Sequence, residues 1–229
     1  MINDGHVYSL QEFLLQRATD LLEVPKELLP SALERLAQEE RIHPDLIPIN
    51  NKKDEKGKRA ASESQAMYGT PVIYLTQLYF GEKGVAERVK TLADSSSIAK
   101  TMNHSLFPAD DLSVEQEAAI DMALTHPVSI LTGGPGTGKT TCLKALIITL
   151  EEQNKSYALA SPTERAAKRL SEATGQSAKT IHRLLEYSPL DGFKHNDENP
   201  LDLHFLVVDE ASMLDLLLTN HLLKAVQPG

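Results

Sequence analysis

Eight consecutive residues have the types and spacing of a loop that binds phosphate groups. They fit the pattern G-x-x-x-x-G-K-[ST], known as Walker A, and are Gly133, Gly134, Pro135, Gly136, Thr137, Gly138, Lys139 and Thr140. Glycines lack side-chain bulk, so backbone N–H groups can turn towards a phosphate, and a helix N-terminus adds partial positive charge. Lys139 is then positioned to reach the β- and γ-phosphates of a nucleotide, and the Thr140 hydroxyl to help hold Mg²⁺.

The residues on either side of this loop supply the expected context. The apolar run at 127–132 predicts a short buried strand, and residues 141–148 predict a helix. The alternative interpretation is a glycine-rich turn that binds nothing. The order strand, loop, helix favours the nucleotide site over that alternative.

A second apolar run ends in two acidic residues. Residues 205–208 predict a buried strand that leads directly into Asp209 and Glu210. A carboxylate suits Mg²⁺, usually through water, and the neighbouring glutamate is placed to polarise an attacking water, as in a Walker B element. The alternative is an acidic helix start capped by Ser212 and Asp215. Both interpretations can hold together, because capping leaves Asp209 and Glu210 free.

Strands and helices alternate from residue 107 onwards, which predicts a mostly parallel α/β sheet. Ser113 and Gln116 have the spacing of a capping box and begin a helix. Residues 157–160 predict another buried strand, followed by a basic, alanine-rich helix after 161–163. Residues 180–185 predict a short helical piece.

The first part of the chain has a different pattern. Residues 9–23 and a segment beginning at Pro25 have helical spacing, and residues 79–92 predict a third helix. Short strand-like runs at 47–49 and 72–75 flank a polar, basic stretch at 50–66 that predicts a mobile loop. Two helices followed by a long-tipped hairpin resemble a winged helix. The predicted domains are therefore 1–106 and 107–229.

Composition is that of an ordinary soluble globular protein, with 41% hydrophobic and 24% charged residues. The net charge of −9 does not favour nucleic acid, although residues 52–59 and 161–183 are locally basic. No run approaches eighteen apolar residues and no signal peptide is evident, so no membrane span is expected. The single cysteine, Cys142, suits a packing role in a reducing, cytoplasmic compartment.

Four further motifs, taken with the Walker A loop, resemble the RecD-like branch of superfamily 1 DNA helicases. They comprise residues 112–120, 161–170, 180–185 and 207–213, and the loop at 192–201 is also similar. The resemblance covers residues 107–226 and, more weakly, residues 5–95, which look like the helical and winged region before the motor. It implies a P-loop, RecA-like parallel sheet with helices on both faces, and an ATP-dependent 5′→3′ helicase acting in DNA repair and recombination.

The resemblance also assigns roles to individual residues. Gln116 would read the adenine edge, the alternative being that it only closes its capping box, and residues 133–141, ending in Thr141, would bind ATP. Lys139, Asp209 and Glu210 would be catalytic, with Thr140 and Asp209 at Mg²⁺. The residues implied to contact single-stranded DNA are Ser161, Thr163, Arg165, Lys168 and His182. The alternative for His182 is a locally satisfied side chain. Other recombination and repair subunits are implied as partners.

The sequence departs from the family pattern at two places. Glu164 stands where the family usually has glycine, so it either repels a DNA phosphate or forms a capping box with Ser161. The residues also end one helix after Asp209 and Glu210, before the family's γ-phosphate sensor and second RecA-like domain. We therefore expect a piece of a longer helicase that binds Mg²⁺-ATP and single-stranded DNA without unwinding. Its sheet should lack the strand that the family places between the P-loop and Walker B strands.

Two other functions are compatible with a P-loop and an Asp-Glu pair. One is an AAA+ remodelling ATPase, although the motifs at 161–163 and 180–182 have no place in that family's pattern. The other is a nucleotide-binding fragment that serves only as an interaction module.

Overall fold

The computed structural model describes residues 5–48, 69–95 and 112–228. The chain divides into two compact units, Met1–Lys83 and Gly84–Gly229. The predicted domain boundary near residue 106 and the predicted basic loop at 50–66 lie outside the described residues and stay predictions. Within the described ranges, no helix is long and apolar enough to cross a bilayer.

The first unit contains a three-stranded antiparallel sheet in the order β1-β3-β2. Its strands are β1 (Tyr8–Leu10), β2 (Ile42–Ile47) and β3 (Thr70–Leu75), with Ile42 opposite Leu75 and Ile47 opposite Thr70. The helices are α1 (Gln11–Leu22), α2 (Leu29–Gln38) and the first part of α3 (Thr76–Asp94), which continues past the unit boundary after Lys83. The two helices and the strand at 72–75 match the prediction, whereas β2 lies at Ile42–Ile47 and overlaps the strand predicted at 47–49 only at Ile47. β1 was not predicted, since three residues are too few to show an alternating pattern.

The core of this unit lies between the sheet and its first two helices. Val72, Ile73 and Tyr74 are buried on β3, and an apolar cavity of about 390 Å³ lies between that strand, α1 and α2. The Tyr74 hydroxyl donates to the Glu82 carboxylate at 3.0 Å. Burial and this acceptor both raise the pKa of Tyr74 above its ordinary value.

The second unit is built on a parallel sheet in the order β5-β4-β8. Its strands are β4 (Tyr157–Ser161), β5 (Ala178–Thr180) and β8 (Phe205–Val208), and a small hairpin pairs β6 (Tyr187–Ser188) with β7 (Gly192–Phe193). Five helices accompany them in the described residues: α4 (Val114–Thr125), α5 (Lys139–Glu152), α6 (Glu164–Thr174), α7 (Ile181–Leu184) and α8 (Leu216–Lys224).

Helices cover both faces of this sheet, as the alternation of side chains along β8 shows. Phe205 and Val207 pack against the buried cluster of α4 and α5, which includes Cys142. Leu206 and Val208 point to the opposite face, where they pack with residues of α7 and α8. Helices on both faces of a parallel sheet are the architecture predicted for a RecA-like α/β domain, and that fold class is confirmed.

The strand predicted at residues 127–132 does not form, so this prediction is wrong. The segment has no regular structure, and Val128, Ile130 and Leu131 are 40%, 77% and 46% exposed. A strand requires a hydrogen-bonding neighbour, and β8 pairs only with β4 among the described strands. No described strand pairs with residues 127–132, so the segment has no partner for a ladder among the described residues. The apolar pattern indicated a tendency to be buried, but not whether a neighbour was available.

Helix caps explain where the helices around the sheet begin. The capping box of α4 is confirmed, since the Ser113 N–H donates to Gln116 Oε1 at 2.9 Å and the Gln116 N–H donates to Ser113 Oγ at 3.3 Å. α6 is capped by Thr163, so the box proposed for Ser161 and Glu164 is wrong. α8 is capped by Asp215 alone. The Asp215 carboxylate is long enough to accept from the Leu218 N–H, so the cap expected from Ser212 is also wrong.

Candidate nucleotide-binding site

The Walker A loop and the acidic pair lie towards the same edge of the parallel sheet. The Tyr157 hydroxyl at the start of β4 donates to Glu151 at the end of α5 at 2.7 Å, and Ile147 lies in one buried cluster with Leu159, so the helix runs antiparallel to that strand. Its N-terminus therefore points to the carboxyl edge. β8 is parallel to β4, and the Asp209 N–H donates to the carbonyl of Ala160 at 2.9 Å. The carboxyl edge is where open α/β sheets bind ligands.

Glycines in the loop are required by its backbone. Gly136 and Gly138 have φ angles of 77° and 82°, in the left-handed region that favours glycine. A Cβ added at Gly133 would lie 2.6 Å from the Thr137 hydroxyl, and one at Gly138 would overlap the Gln116 amide. The loop therefore follows a path that side chains at these positions would block.

Lys139 is folded back over its own loop. Its ammonium donates to the carbonyls of Gly133 and Gly134 at 2.5 and 2.8 Å, and the Thr137 hydroxyl donates to the carbonyl of Gly134 at 2.9 Å. An ammonium donates up to three hydrogen bonds and accepts none. Phosphate oxygens of a bound nucleotide can therefore replace these two carbonyls as its acceptors. The lysine is thus held at the loop, where a bound phosphate would meet it.

Gln116 serves its capping box and contacts the loop at the same time. Its side-chain oxygen accepts from Ser113, while its amide nitrogen donates to the carbonyl of Thr137 at 3.4 Å. The side chain therefore lies against the loop from the N-terminus of α4. Its predicted contact with adenine stays a prediction.

The acidic pair is accessible to solvent. Asp209 and Glu210 are both exposed, as is Thr140, so their oxygens are open to a ligand. Glu210 has a φ of 54°, an unusual value for a residue with a Cβ. Mg²⁺ usually takes one or two protein oxygens together with phosphates and waters, which fits the small donor set offered here. No cluster of three or more His, Cys, Asp or Glu side chains suited to a metal is found in the described residues.

The residues predicted to contact DNA differ in accessibility. Arg165, Lys168 and His182 are exposed, and Lys168 lies 3.9 Å from Glu172. The Thr163 hydroxyl accepts from the N–H of Ala166 at 3.2 Å and keeps its own proton to donate. Ser161 is fully buried, and its hydroxyl has no hydrogen-bond partner among the described residues, so in this conformation it does not reach the surface. Its predicted contact with DNA is therefore not supported by this conformation.

Two neighbours of these residues were missed from the sequence as parts of the site. Arg183 makes an ion pair with Glu164 at 3.1 Å, so the charge of the Glu164 carboxylate is partly compensated. The cap of α6 is Thr163 and not this glutamate. The Thr180 hydroxyl accepts from the Arg183 N–H at 3.2 Å and caps α7. The signal available in the sequence was Thr180 placed three residues before Arg183, which is the spacing of a helix N-cap. The His182 ring lies 5.5 Å from Tyr187 and 5.6 Å from Phe193, between ring centroids.

Comparison with known proteins points in the same direction as the site. Residues 116–229 match the family model described as AAA domain. The chain is 39% identical over 173 residues to the ATP-dependent RecD2 DNA helicase of Deinococcus radiodurans, covering 74% of this chain and 24% of that protein. It is 35% identical over 187 residues to the RecBCD enzyme subunit RecD of Mycobacterium tuberculosis, covering 71% and 32%. For RecD of Haemophilus influenzae the identity is 34% over 172 residues, covering 64% and 27%.

The aligned part spans about a quarter to a third of each of these relatives. The family-model match at 116–229 includes the residues that form the loop, the parallel sheet and the acidic pair.

Proposed function

Because the chain belongs to the RecD-like family of superfamily 1 helicases, we propose that it forms the nucleotide-binding half of an ATP-driven 5′→3′ DNA helicase motor. The observation that carries this proposal is the position of the Walker A loop and the Asp209–Glu210 pair at the carboxyl edge of one parallel sheet. A P-loop and an acidic pair at that edge are the parts that an NTPase needs.

Each part has a role in the proposed site. The loop N–H groups and Lys139 would bind the phosphates, and Thr140 and Asp209 would hold Mg²⁺. When bound, Mg²⁺ would supply positive charge to neutralise the phosphates. Glu210 orients and polarises the attacking water. Gln116, already against the loop, is the proposed contact to adenine.

Single-stranded DNA is the proposed second ligand. Thr163, Arg165, Lys168 and His182 follow the ends of β4 and β5, which pair in parallel with Ser161 opposite Thr180. Their donors therefore lie at one edge of the sheet, where hydroxyl and guanidinium groups suit phosphate oxygens. The relatives named as RecBCD subunits motivate a further proposal, that this protein works beside other recombination and repair subunits.

Hydrolysis by these 229 residues is proposed to be slow. The transition state needs positive charge at the transferring phosphoryl group, and an arginine finger is worth roughly 10³–10⁵ in rate. Within the described residues no arginine makes a hydrogen bond or ion pair to the loop. We therefore propose that the chain binds nucleotide but shows turnover near background and no unwinding.

Titration with a fluorescent ATP analogue in the presence of Mg²⁺ tests nucleotide binding. Lys139→Ala should abolish the signal, because the ammonium is the only side-chain charge held at the loop in the described structure. Lys144→Ala, an exposed lysine on the same helix, is the matched control and should bind as wild type. Equal binding by Lys139→Ala and wild type would refute the nucleotide site.

A phosphate-release assay with and without single-stranded DNA tests the catalytic half of the proposal. Turnover should stay near background under both conditions. DNA-stimulated turnover at helicase-like rates, lost in Glu210→Gln, would contradict slow hydrolysis while supporting the role of Glu210. An analogue bound without Mg²⁺ dependence would argue against Thr140 and Asp209 as metal ligands.

A further inference from the structure

Glu164 and Arg183 form an ion pair where two parallel strands end. Arg183 Nη1 lies 3.1 Å from Glu164 Oε1, and the two side chains are 71% and 68% exposed. β4 and β5 pair with Ser161 opposite Thr180, so the helices that follow them, α6 and α7, begin side by side. The pair therefore bridges the beginnings of both helices that carry the proposed DNA contacts.

Both partners are held in place from the backbone. Glu164 is the first residue of α6, where a carboxylate is favoured by the helix dipole, and Thr163 caps that helix. The N–H of Arg183 donates to the Thr180 hydroxyl at 3.2 Å, which fixes the position of the arginine backbone. The side chains meet because the sheet register places these two caps together.

An ion pair this exposed is weak and can be exchanged. Surface pairs gain little from their attraction, since water and salt screen both charges. A guanidinium binds a phosphate at least as well as a carboxylate, because its planar fork matches two oxygens of either group. Among the described residues, the Arg183 side chain makes a hydrogen bond only to Glu164. Arg183 can therefore leave Glu164 for a phosphate without breaking another bond there.

We propose that Arg183 contacts a phosphate of the bound DNA strand and that Glu164 competes for it, so that Glu164 lowers the affinity of this protein for single-stranded DNA. This inference rests on the DNA half of the proposed function. It gives the residue that replaces the family glycine a defined effect: Glu164 occupies the arginine whenever DNA is absent. The ligand is a phosphodiester of the strand and not the phosphates of the nucleotide.

Fluorescence anisotropy with labelled oligothymidine at low salt tests the proposal on the full 229-residue chain. Glu164→Gln should tighten binding roughly three- to fivefold, and Arg183→Ala should weaken it by a similar factor. In the Arg183→Ala background, Glu164→Gln should change affinity by less than about twofold, because no arginine remains to be released.

Glu172→Gln is the matched control. Glu172 lies on the same helix, is exposed and pairs with Lys168 at the longer distance of 3.9 Å, so its removal changes net charge equally. It should tighten binding by no more than about twofold. The plot of log affinity against log salt concentration has a negative slope. Its magnitude should decrease by about 0.7 in Arg183→Ala and stay unchanged in Glu164→Gln.

Five results would overturn the proposal. Equal tightening by Glu164→Gln and Glu172→Gln would show a general charge effect, as would a gain from Glu164→Gln that persists without Arg183. Wild-type affinity and salt slope in Arg183→Ala would remove the arginine from the interface. If wild type and every variant fail to bind oligothymidine while the ATP analogue still binds, the DNA half of the proposed function fails as well. Altered ATP-analogue binding in Glu164→Gln would assign the arginine to the nucleotide instead.

Discussion

Glu210 is the residue at which chemistry and backbone conformation conflict. Its carboxylate is exposed beside Asp209, while its φ of 54° lies in a region that side chains disfavour by roughly 1–2 kcal/mol. It also precedes the short 3₁₀ helix Ala211–Met213, which keeps the chain turning directly after β8. Strained backbone of this kind is found where a functional side chain must occupy one position.

Replacing Glu210 by glycine should therefore stabilise the protein and remove its catalytic group. We expect Glu210→Gly to raise the free energy of unfolding by up to about 1 kcal/mol, since the relief of strain exceeds the added chain entropy. Urea unfolding monitored by circular dichroism measures it. Glu210→Ala keeps the Cβ and removes the carboxylate, so it should give no such gain. A gain in the alanine variant equal to that in glycine would attribute the effect to charge.

At the scale of one helix, α8 tests which residue provides a cap. The Leu218 N–H donates to the Asp215 carboxylate at 2.7 Å, and Ser212 lies one turn earlier within the 3₁₀ helix. We expect Asp215→Ala to cost about 1 kcal/mol of stability and Ser212→Ala less than about 0.5 kcal/mol, since only the first leaves an N–H without its acceptor. Thermal and urea unfolding of the two variants decide it. The reverse order of stabilities would restore the serine as the cap.

The same helix should contribute to the pH dependence of stability through His221. Partial desolvation by its neighbours, and then the nearby Lys224, lower the pKa of this solvent-accessible imidazole below its ordinary value of 6.5, and its ring lies 4.5 Å from that of Phe193. Its folded-state pKa is below its unfolded one, so the unfolded chain binds the extra proton first. This contribution to stability is therefore complete above pH 6.5 and declines as the pH falls through that value.

His221→Gln should consequently reduce the loss of melting temperature between pH 7.5 and pH 5.5. His126→Gln, at the exposed C-terminal end of α4, serves as the control for removing a histidine. Differential scanning calorimetry of both variants and wild type at the two pH values measures the effect. If His221→Gln loses as much melting temperature as wild type between pH 7.5 and pH 5.5, the imidazole has the same pKa in the folded and unfolded chain.

At the scale of the whole molecule, the open edge of the parallel sheet is the feature with the widest effect. β8 pairs only with β4 among the described strands, and the apolar segment at 127–132 lies exposed without a partner. Unpaired strand edges and exposed apolar runs both promote association between chains. The 229-residue chain should therefore associate at high concentration.

Ile130→Lys should reduce that association without loss of stability, because Ile130 is 77% exposed and contributes little to the core. Sedimentation velocity over a range of concentrations provides the measurement. Ile147→Lys on α5, where the isoleucine is 3% exposed, should instead unfold the unit. If Ile130→Lys associates as wild type does, another surface is responsible.

The parts of this fold that the sequence predicted are those decided locally. The Walker A loop depends on glycines whose φ angles no other residue adopts easily, and the α4 capping box depends on two side chains three residues apart. The strand at 127–132 depends on a neighbour elsewhere in the chain, which its own residues cannot reveal. The pairing of Glu164 with Arg183 likewise depends on the register between β4 and β5.

The thiol of Cys142, in the buried cluster of α4 and α5, provides a chemical probe of local unfolding in this region. Cys142 is the only cysteine, is 5% exposed, and has a pKa raised by burial, so a thiol reagent reacts with it only when this region opens. The residue lies within the first turn of the helix that begins at Lys139. Ligands that tie down that turn should slow modification in proportion to their occupancy. The rate of thiol labelling would thus measure how often the helix next to the nucleotide site opens locally.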